Sequence, residues 1–396
     1  MKQTLIKPIM LSLLAGYGLL HAAPTWAVVT CQPAPGIPRT DTVTLNPGVI
    51  SAGADFKNGT IIFSGQWLGR VPGSLIACTA NPAGTPENPV AVHYNYGFGI
   101  NSAPKPLSGW NSAPFPGAVY QTNIPGVGVA LSWSSGSNAV TTTKYVFTFT
   151  NATFNIVASS GGHSINSPIR YLSLIKIGNL VPGNYTIDAA SLPSAKLFYD
   201  NPSNGLNVIS GFPITTNIIN FQGSLTITAP TCTTPDVNVD LGTHEIHKTL
   251  TGKGSATPWV TSDIILTNCP IFHGYYDNTR TTVLFEYGND NVQPAESLNN
   301  NIGVRLTPTT SIINGASGIM SLSASADSAT GVGIQIAAGD SGNPVLFNFA
   351  QERKQALPKD GTTTLKVPLV ARYIQTEDRV TPGRADGKVT FTINYY

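Results

Sequence analysis

Charge is scarce in this chain. Lys, Arg, Asp and Glu make up 11% of its 396 residues, and the net charge is only +2. A nucleic-acid surface needs Lys and Arg concentrated on one face, so that class of partner is excluded; no run of like charge supplies one locally. Helical periodicity is missing as well: after the first segment no stretch spaces its apolar residues three and four apart. No later apolar run could span a bilayer as a helix. The four cysteines include no close pair such as C-x-x-C to start a zinc site. Walker A and dinucleotide loops are absent.

What fills the chain instead is Gly (39), Pro (30), Thr, Asn, Ser and Val. That is the composition of short strands joined by turns, and the length implies about two domains. Residues 1–27 read as an export signal. Lys2 and Lys7 are its positive region, residues 9–20 are apolar, and Thr25-Trp26-Ala27 offers small residues for cleavage, which makes Val28 the expected mature start. Export favours disulfides. Four cysteines allow three pairings; the wide gap between Cys78 and Cys232 favours Cys31 with Cys78 and Cys232 with Cys269.

A seam falls near residues 225–231, where Ala229-Pro230-Thr231 breaks a strand pattern. Five acidic residues lie between Val28 and this seam (Asp41, Asp55, Glu87, Asp188, Asp200), and the other fifteen lie beyond it. The expected division is 28–227 and 228–396. In the first half, strands are expected at 59–63, 90–94, 127–133, 144–149, 170–177 and 184–187, separated by Pro-Gly turns at 72, 116, 125 and 182. In the second, they are expected at 237–241, 283–287, 302–306, 332–336 and 365–373. The fold class is all-β, two sandwich-like domains. The last residues alternate with period two: Val389, Phe391, Ile393 and Tyr395 on one face, Thr390, Thr392, Asn394 and Tyr396 on the other. A well-formed strand at an edge is a liability unless something uses it. This end is therefore either tucked inside a finished sheet or a place where another chain attaches.

Four features of the second half, in order, carry a resemblance. Cys232 precedes a Val-x-Val-x-Leu-Gly segment (Val237 to Gly242). A hydrophobic strand from Asp263 closes on Cys269. Gly331-Val332-Gly333-Ile334-Gln335-Ile336 follows, and Pro368-Leu369-Val370-Ala371-Arg372-Tyr373 leads to the last strand. Together they resemble a pilin domain of the chaperone–usher family. The resemblance implies an incomplete Ig-like sandwich lacking one strand. A periplasmic chaperone would fill the gap first, an outer-membrane usher would receive the complex, and a neighbouring subunit would then donate a strand. Val389, Phe391, Ile393 and Tyr395, with the Tyr396 carboxylate, would take the chaperone-binding parts. The expected start at Val28, three residues before Cys31, leaves no room for a donor strand, and the extra domain resembles the layout of two-domain fimbrial tip adhesins. Such a protein would pass through the periplasm to the tip of a fimbria on the cell surface and bind a glycan or protein receptor there. The segment from Tyr120 to Val129 is similar to one in enterobacterial adhesin N-terminal domains. A two-domain structural subunit or assembly initiator that binds no sugar is the alternative.

Sugar sites set aromatic faces against a ring and meet its hydroxyls with Asp, Asn and Gln. Candidate receptor residues in turn-rich surroundings are Trp110, Asn111, Trp67, Gln66, Tyr94, Tyr96, Asp55 and Asp200. Trp110 is preferred, because its Pro-rich surroundings offer less core to join; Trp133, inside an alternating strand, reads as core. His93 and His163 are isolated, and His244 and His247 do not form H-E-x-x-H, so neither metal nor cofactor is expected. Gly339-Asp340-Ser341-Gly342-Asn343-Pro344 is similar to a serine-protease nucleophile segment. It lacks an upstream Ala-Ala-His-Cys setting and reads as a turn, so no enzyme is expected.

Overall fold

The computed structural model describes residues 27–45, 48–69, 73–165, 169–203, 208–286 and 295–396. The signal-like segment over 1–26, the first residue of the expected turn at Pro72, and Tyr287 lie outside them. Turn chemistry cuts the chain into strands much as the sequence reading expected. At Pro125-Gly126 the glycine has φ +81, and a Cβ there would press on the Asn179 carbonyl, so the turn needs glycine.

In the first half two sheets face each other. One runs in the order Val146–Ile156, Val90–Ser102, Ser194–Asp200, Ile214–Ala229, Gly183–Asp188; Arg39–Leu45 and Val49–Ser51 add to Ile214–Ala229 in parallel. The other holds Ile61–Leu68, Arg170–Lys176, Val127–Ser134 and Tyr120–Gln121. Inward residues such as Phe63, Phe98, Leu131, Leu172 and Ile227 are fully buried between them. A third, smaller sheet sets Val28–Pro33 against Ile76–Asn81, where Cys31 lies directly opposite Cys78 and bonds to it.

The second half builds its own core around Leu266, Ile302, Val304, Leu306, Ala338 and Val367. Its larger sheet is ordered Val260–Thr261, Leu369–Gln375, Val332–Ala338, Ile319–Ser321, Ile312–Asn314; a second is ordered Arg353–Ala356, Asn301–Pro308, Val389–Tyr395. Cys232 bonds to Cys269.

Four details depart from the sequence reading. The strand Ile214–Ala229 takes in Ala229, where the pattern was expected to break, and Ala229 is buried in the first core. The expected strand at 365–373 is two strands, Leu365–Val367 and Leu369–Gln375, with different partners. Pro368 separates them; lacking an N–H, it interrupts the ladder and the chain changes sheets there. Residues 237–241, although they alternate, form no strand: a bridge between Thr233 and Thr267 is the nearest ladder contact. Finally, Thr282–Glu286 is a strand, but it pairs in parallel with Ile61–Leu68 of the first half. Tyr276 joins the first core beside Phe63, and the Leu284 side chain lies over Gly65. The second half thus lends an edge strand to the first.

Candidate functional site

The last strand, Val389–Tyr395, pairs antiparallel with Asn301–Pro308. Which of its groups face that partner follows from its two ends. Tyr396 exchanges both backbone bonds with Asn301 (2.7 and 2.8 Å), and the Lys388 carbonyl accepts from Thr309 N. Even-numbered residues therefore point their N–H and C=O at Asn301–Pro308, and Val389, Phe391, Ile393 and Tyr395 point theirs the other way. Among the described residues no strand pairs with this second edge. The side chains of Val389, Phe391 and Ile393 pack against the second core yet stay half-exposed, while Tyr395 is buried.

The segment after Cys232 has contacts near both ends of this strand. At one end Cys232 N donates to the Tyr395 hydroxyl (3.0 Å), and the Tyr395 ring stacks on Phe272. At the other, Gly242, Thr243 and His244 line an open cavity of about 430 Å³ together with Tyr373, Arg384 and Ala385, just ahead of Val389. Between these ends Val237 and Leu241 turn toward the core, but among the described residues no backbone bond joins residues 232–244 to the last strand.

The expected receptor residues do not converge. Trp67 is 3% exposed and meets Phe221 edge-on at 5.5 Å. Tyr94 and Tyr96 are buried in an aromatic cluster with Tyr199, His163 and Phe154; Tyr96 also shares a hydrogen bond with Thr216, and burial pushes its pKa up to about 12. None of these three rings has a face left for a ligand. The reason is that Val90–Ser102 runs on through Gly97, and the Phe198 ring fills the space a Cβ would take there. Gln66 is half-buried opposite Val283, and the Asp200 carboxylate accepts from Asn201 N. Asp55 is turned away to the second half, where its carboxylate accepts from Tyr395 N.

Trp110 is half-buried. Its indole N–H donates to the Pro114 carbonyl (2.9 Å) and its ring lies across Gly59; Asn111 beside it is exposed. Next to this loop is an open hollow of about 410 Å³ lined by Thr60, Pro114, Gly136, Tyr275, Asp277 and Asn278. The last three come from the second half. No local signal marks them, since nothing in their own stretch says that residues 275–286 fold back onto the first half. Trp133 stacks on Arg170, whose guanidinium sits 3.8 Å from that ring and 4.9 Å from Phe98. Arg170 is 1% exposed, and burial lowers its pKa to about 9.

His93 bonds to Thr153 and His163 to Tyr199; His163 is stacked on Phe154. His244 bonds to the Leu241 carbonyl, and His247 is paired with Glu245 on the surface. Among the described residues no group of His, Cys, Asp and Glu has the arrangement of a metal site. In the 339–344 segment the Asp340 carboxylate accepts from the N–H groups of Gly342 and Asn343, which is a turn held by its own side chain.

The open edge lies in the stretch of the chain that a family model matches. Residues 219–396 match the family described as Fimbrial protein. No curated protein matches the chain in sequence. Solved structures similar to it include the CupB6 tip adhesin from Pseudomonas aeruginosa, at 15% identity over 93% of this chain and 94% of that one, TM-score 0.32. The CsuC–CsuE chaperone–tip adhesion subunit complex of Acinetobacter baumannii is similar at 13% identity over 92% and 100%, TM-score 0.24. The receptor binding domain of the adhesin MrkD1P of Klebsiella pneumoniae is similar at 15% identity over 52% and 98%, TM-score 0.29.

Proposed function

We propose that this chain is a two-domain fimbrial tip adhesin, exported through the periplasm to the cell surface, whose second half is mounted on the fibre by accepting a strand from a neighbouring pilin. The observation that carries this reading is the unpaired outer edge of Val389–Tyr395, whose Val389, Phe391 and Ile393 side chains stay half-exposed. A strand added at this edge would take up the backbone groups of Val389, Phe391 and Ile393 and cover their half-exposed side chains. This is β-augmentation, of which pilin donor-strand complementation is itself a standard example. A periplasmic chaperone would hold the same edge before assembly, and an outer-membrane usher would receive the complex. The family match over residues 219–396 supports the same reading. Coexpression with the chaperone tests it: the full chain should be recovered in a stable complex, and a chain lacking residues 389–396 should not. Recovery of the truncated chain in that complex would overturn the reading.

The receptor end is proposed to be the hollow beside Trp110, with a glycan as ligand. Tyr275 and the Trp110 loop would supply aromatic surface, and Asp277, Asn278 and Asn111 the polar contacts. A glycan array with the strand-complemented full chain tests this, with Trp110→Ala and Asp277→Ala as controls. The alternative, a tip or initiator subunit that binds no sugar, is favoured by one observation: Trp67, Tyr94 and Tyr96 are buried. An array on which no glycan binds would select it.

A further inference from the structure

The open edge of the last strand is closed at one end by the first half of the same chain. Asp55 N donates to the Tyr395 carbonyl (3.1 Å), and Tyr395 N donates to the Asp55 carboxylate (2.8 Å). These are the two backbone groups that Tyr395 points away from Asn301–Pro308. Asp55 therefore occupies the position an added strand would occupy, with its own N–H standing for one partner group and its carboxylate for the other.

The turn carrying Asp55 is held there from several sides. Gly53 is buried, and a Cβ on it would fall on the Tyr395 carbonyl and within 2.7 Å of the Tyr396 Cα, so the close approach requires glycine. Phe56 packs edge-on against Tyr275 (4.9 Å) and lies 6.4 Å from the Tyr396 ring. Lys176 donates to the Phe56 carbonyl. Just before the turn, Ser51 is wholly buried: its N–H donates to the Gly274 carbonyl, its hydroxyl accepts from His273 N, and its carbonyl accepts from the Asn300 side chain. The contact is thus the end of a continuous polar seam between the halves.

We infer that the Gly53–Asp55 turn is a built-in stop that sets how far an incoming strand can pair along the last strand. Pairing runs over Val389, Phe391 and Ile393 and ends before Tyr395. This rests on the strand-acceptor reading above and adds to it a role for the first half: it fixes the register of the strand that mounts the protein. It also reassigns Asp55 from the receptor to the joint. A partner strand fitted to this site has alternating apolar residues and a length matched to three outward-facing positions; extra residues beyond Ile393 find the backbone already taken.

The test uses the full chain refolded in the presence of a fluorescent peptide of alternating apolar and polar residues, long enough to pair with residues 389–393, with polarisation as readout. Two lengthened versions, each with two more residues at one end, make the test independent of the direction in which the peptide runs. On the wild-type chain the version lengthened beside Tyr395 should bind no tighter than the parent peptide. On Asp55→Ala and on Gly53→Ala, which remove the carboxylate and push the turn away respectively, it should bind about tenfold tighter, the yield of one or two added backbone bonds. Asp55→Asn keeps an acceptor and should behave as wild type, which separates loss of the stop from loss of folding. If both lengthened versions show the same gain over the parent on every chain, the stop is disproved while the acceptor reading stands. If the parent peptide binds none of the chains, the acceptor reading fails and this inference fails with it.

Discussion

Two strands of similar amino-acid style show how differently the halves are finished. Ile214–Ala229 in the first half has partners on both sides along its length: Arg39–Leu45, Val49–Ser51, Gly183–Asp188 and Ser194–Asp200. Its inward residues Ile219, Leu225 and Ile227 are buried. Val389–Tyr395 in the second half is just as β-branched and aromatic, but it has a partner on one side, and its inward Val389, Phe391 and Ile393 remain half-exposed. The difference lies in the number of neighbouring strands and not in composition. A closed half can present a receptor surface without further help; an open one has an unsatisfied edge that another chain can use.

The halves are nonetheless not independent. Thr282–Glu286 extends a first-half sheet, and the Ser51–Asp55 segment docks onto the second. A fragment ending at residue 227 would lose the edge strand and Tyr276, so the full chain is the right subject for receptor screens.

The comparison can be broken or sharpened in order of effect. Removing residues 389–396 should abolish chaperone capture outright while leaving the first half folded. Its three tryptophans among the described residues, Trp67, Trp110 and Trp133, provide a fluorescence readout of that. Replacing both Cys232 and Cys269 by Ser should cost the strand-complemented chain about 4 kcal/mol, as expected for closing a loop of this length, the two cysteines being 37 positions apart in sequence; denaturant unfolding measures it. Leu284→Ala should destabilise the first half by about 2 kcal/mol, the bottom of the range for Leu truncation because the side chain is only half-buried. An effect confined to the second half would show that Thr282–Glu286 does not belong to the first-half sheet in solution.

The smallest effect is a pH dependence. Burial lowers the His163 pKa from its ordinary 6.5. The unfolded chain therefore binds a proton at this site before the folded one does. The stability it contributes is present above pH 6.5 and is lost as pH falls from there through the lowered folded value. The first half should become modestly less stable on acidification, and His163→Gln should flatten that slope. His273 in the seam shifts in the same direction for the same reason.

The strands and the disulfides were legible because period-two alternation, Pro-Gly turns and cysteine spacing are local signals. Other features were not, for identifiable reasons. Alternation at 282–286 marks a strand but not the sheet it joins, and its neighbours in sequence belong to the other half. The pattern ends the expected strand at residue 94; in fact the strand is Val90–Ser102 and takes in Gly97 and Gly99, which are cleared for the rings of Phe198 and Tyr145. That placed Tyr94 and Tyr96 near a loop in the sequence reading when they sit mid-strand. Val237, Val239 and Leu241 alternate like a strand but meet no ladder partner among the described residues. On the acceptor reading, that partner is supplied by another chain. Trp110 is where a loop was expected, but the hollow beside it depends on Tyr275, Asp277 and Asn278, which arrive from beyond the seam.

The central claim is that the last strand has an edge waiting to be paired, and amide hydrogen exchange of the full chain with and without a donor-strand peptide addresses it most directly. The account predicts that the amides of Val389, Phe391 and Ile393 exchange freely in the chain alone and become protected when the peptide is present, while that of Tyr395, held by Asp55, is protected in both. Protection of all four without the peptide, or no change at the first three when it is added, would contradict it.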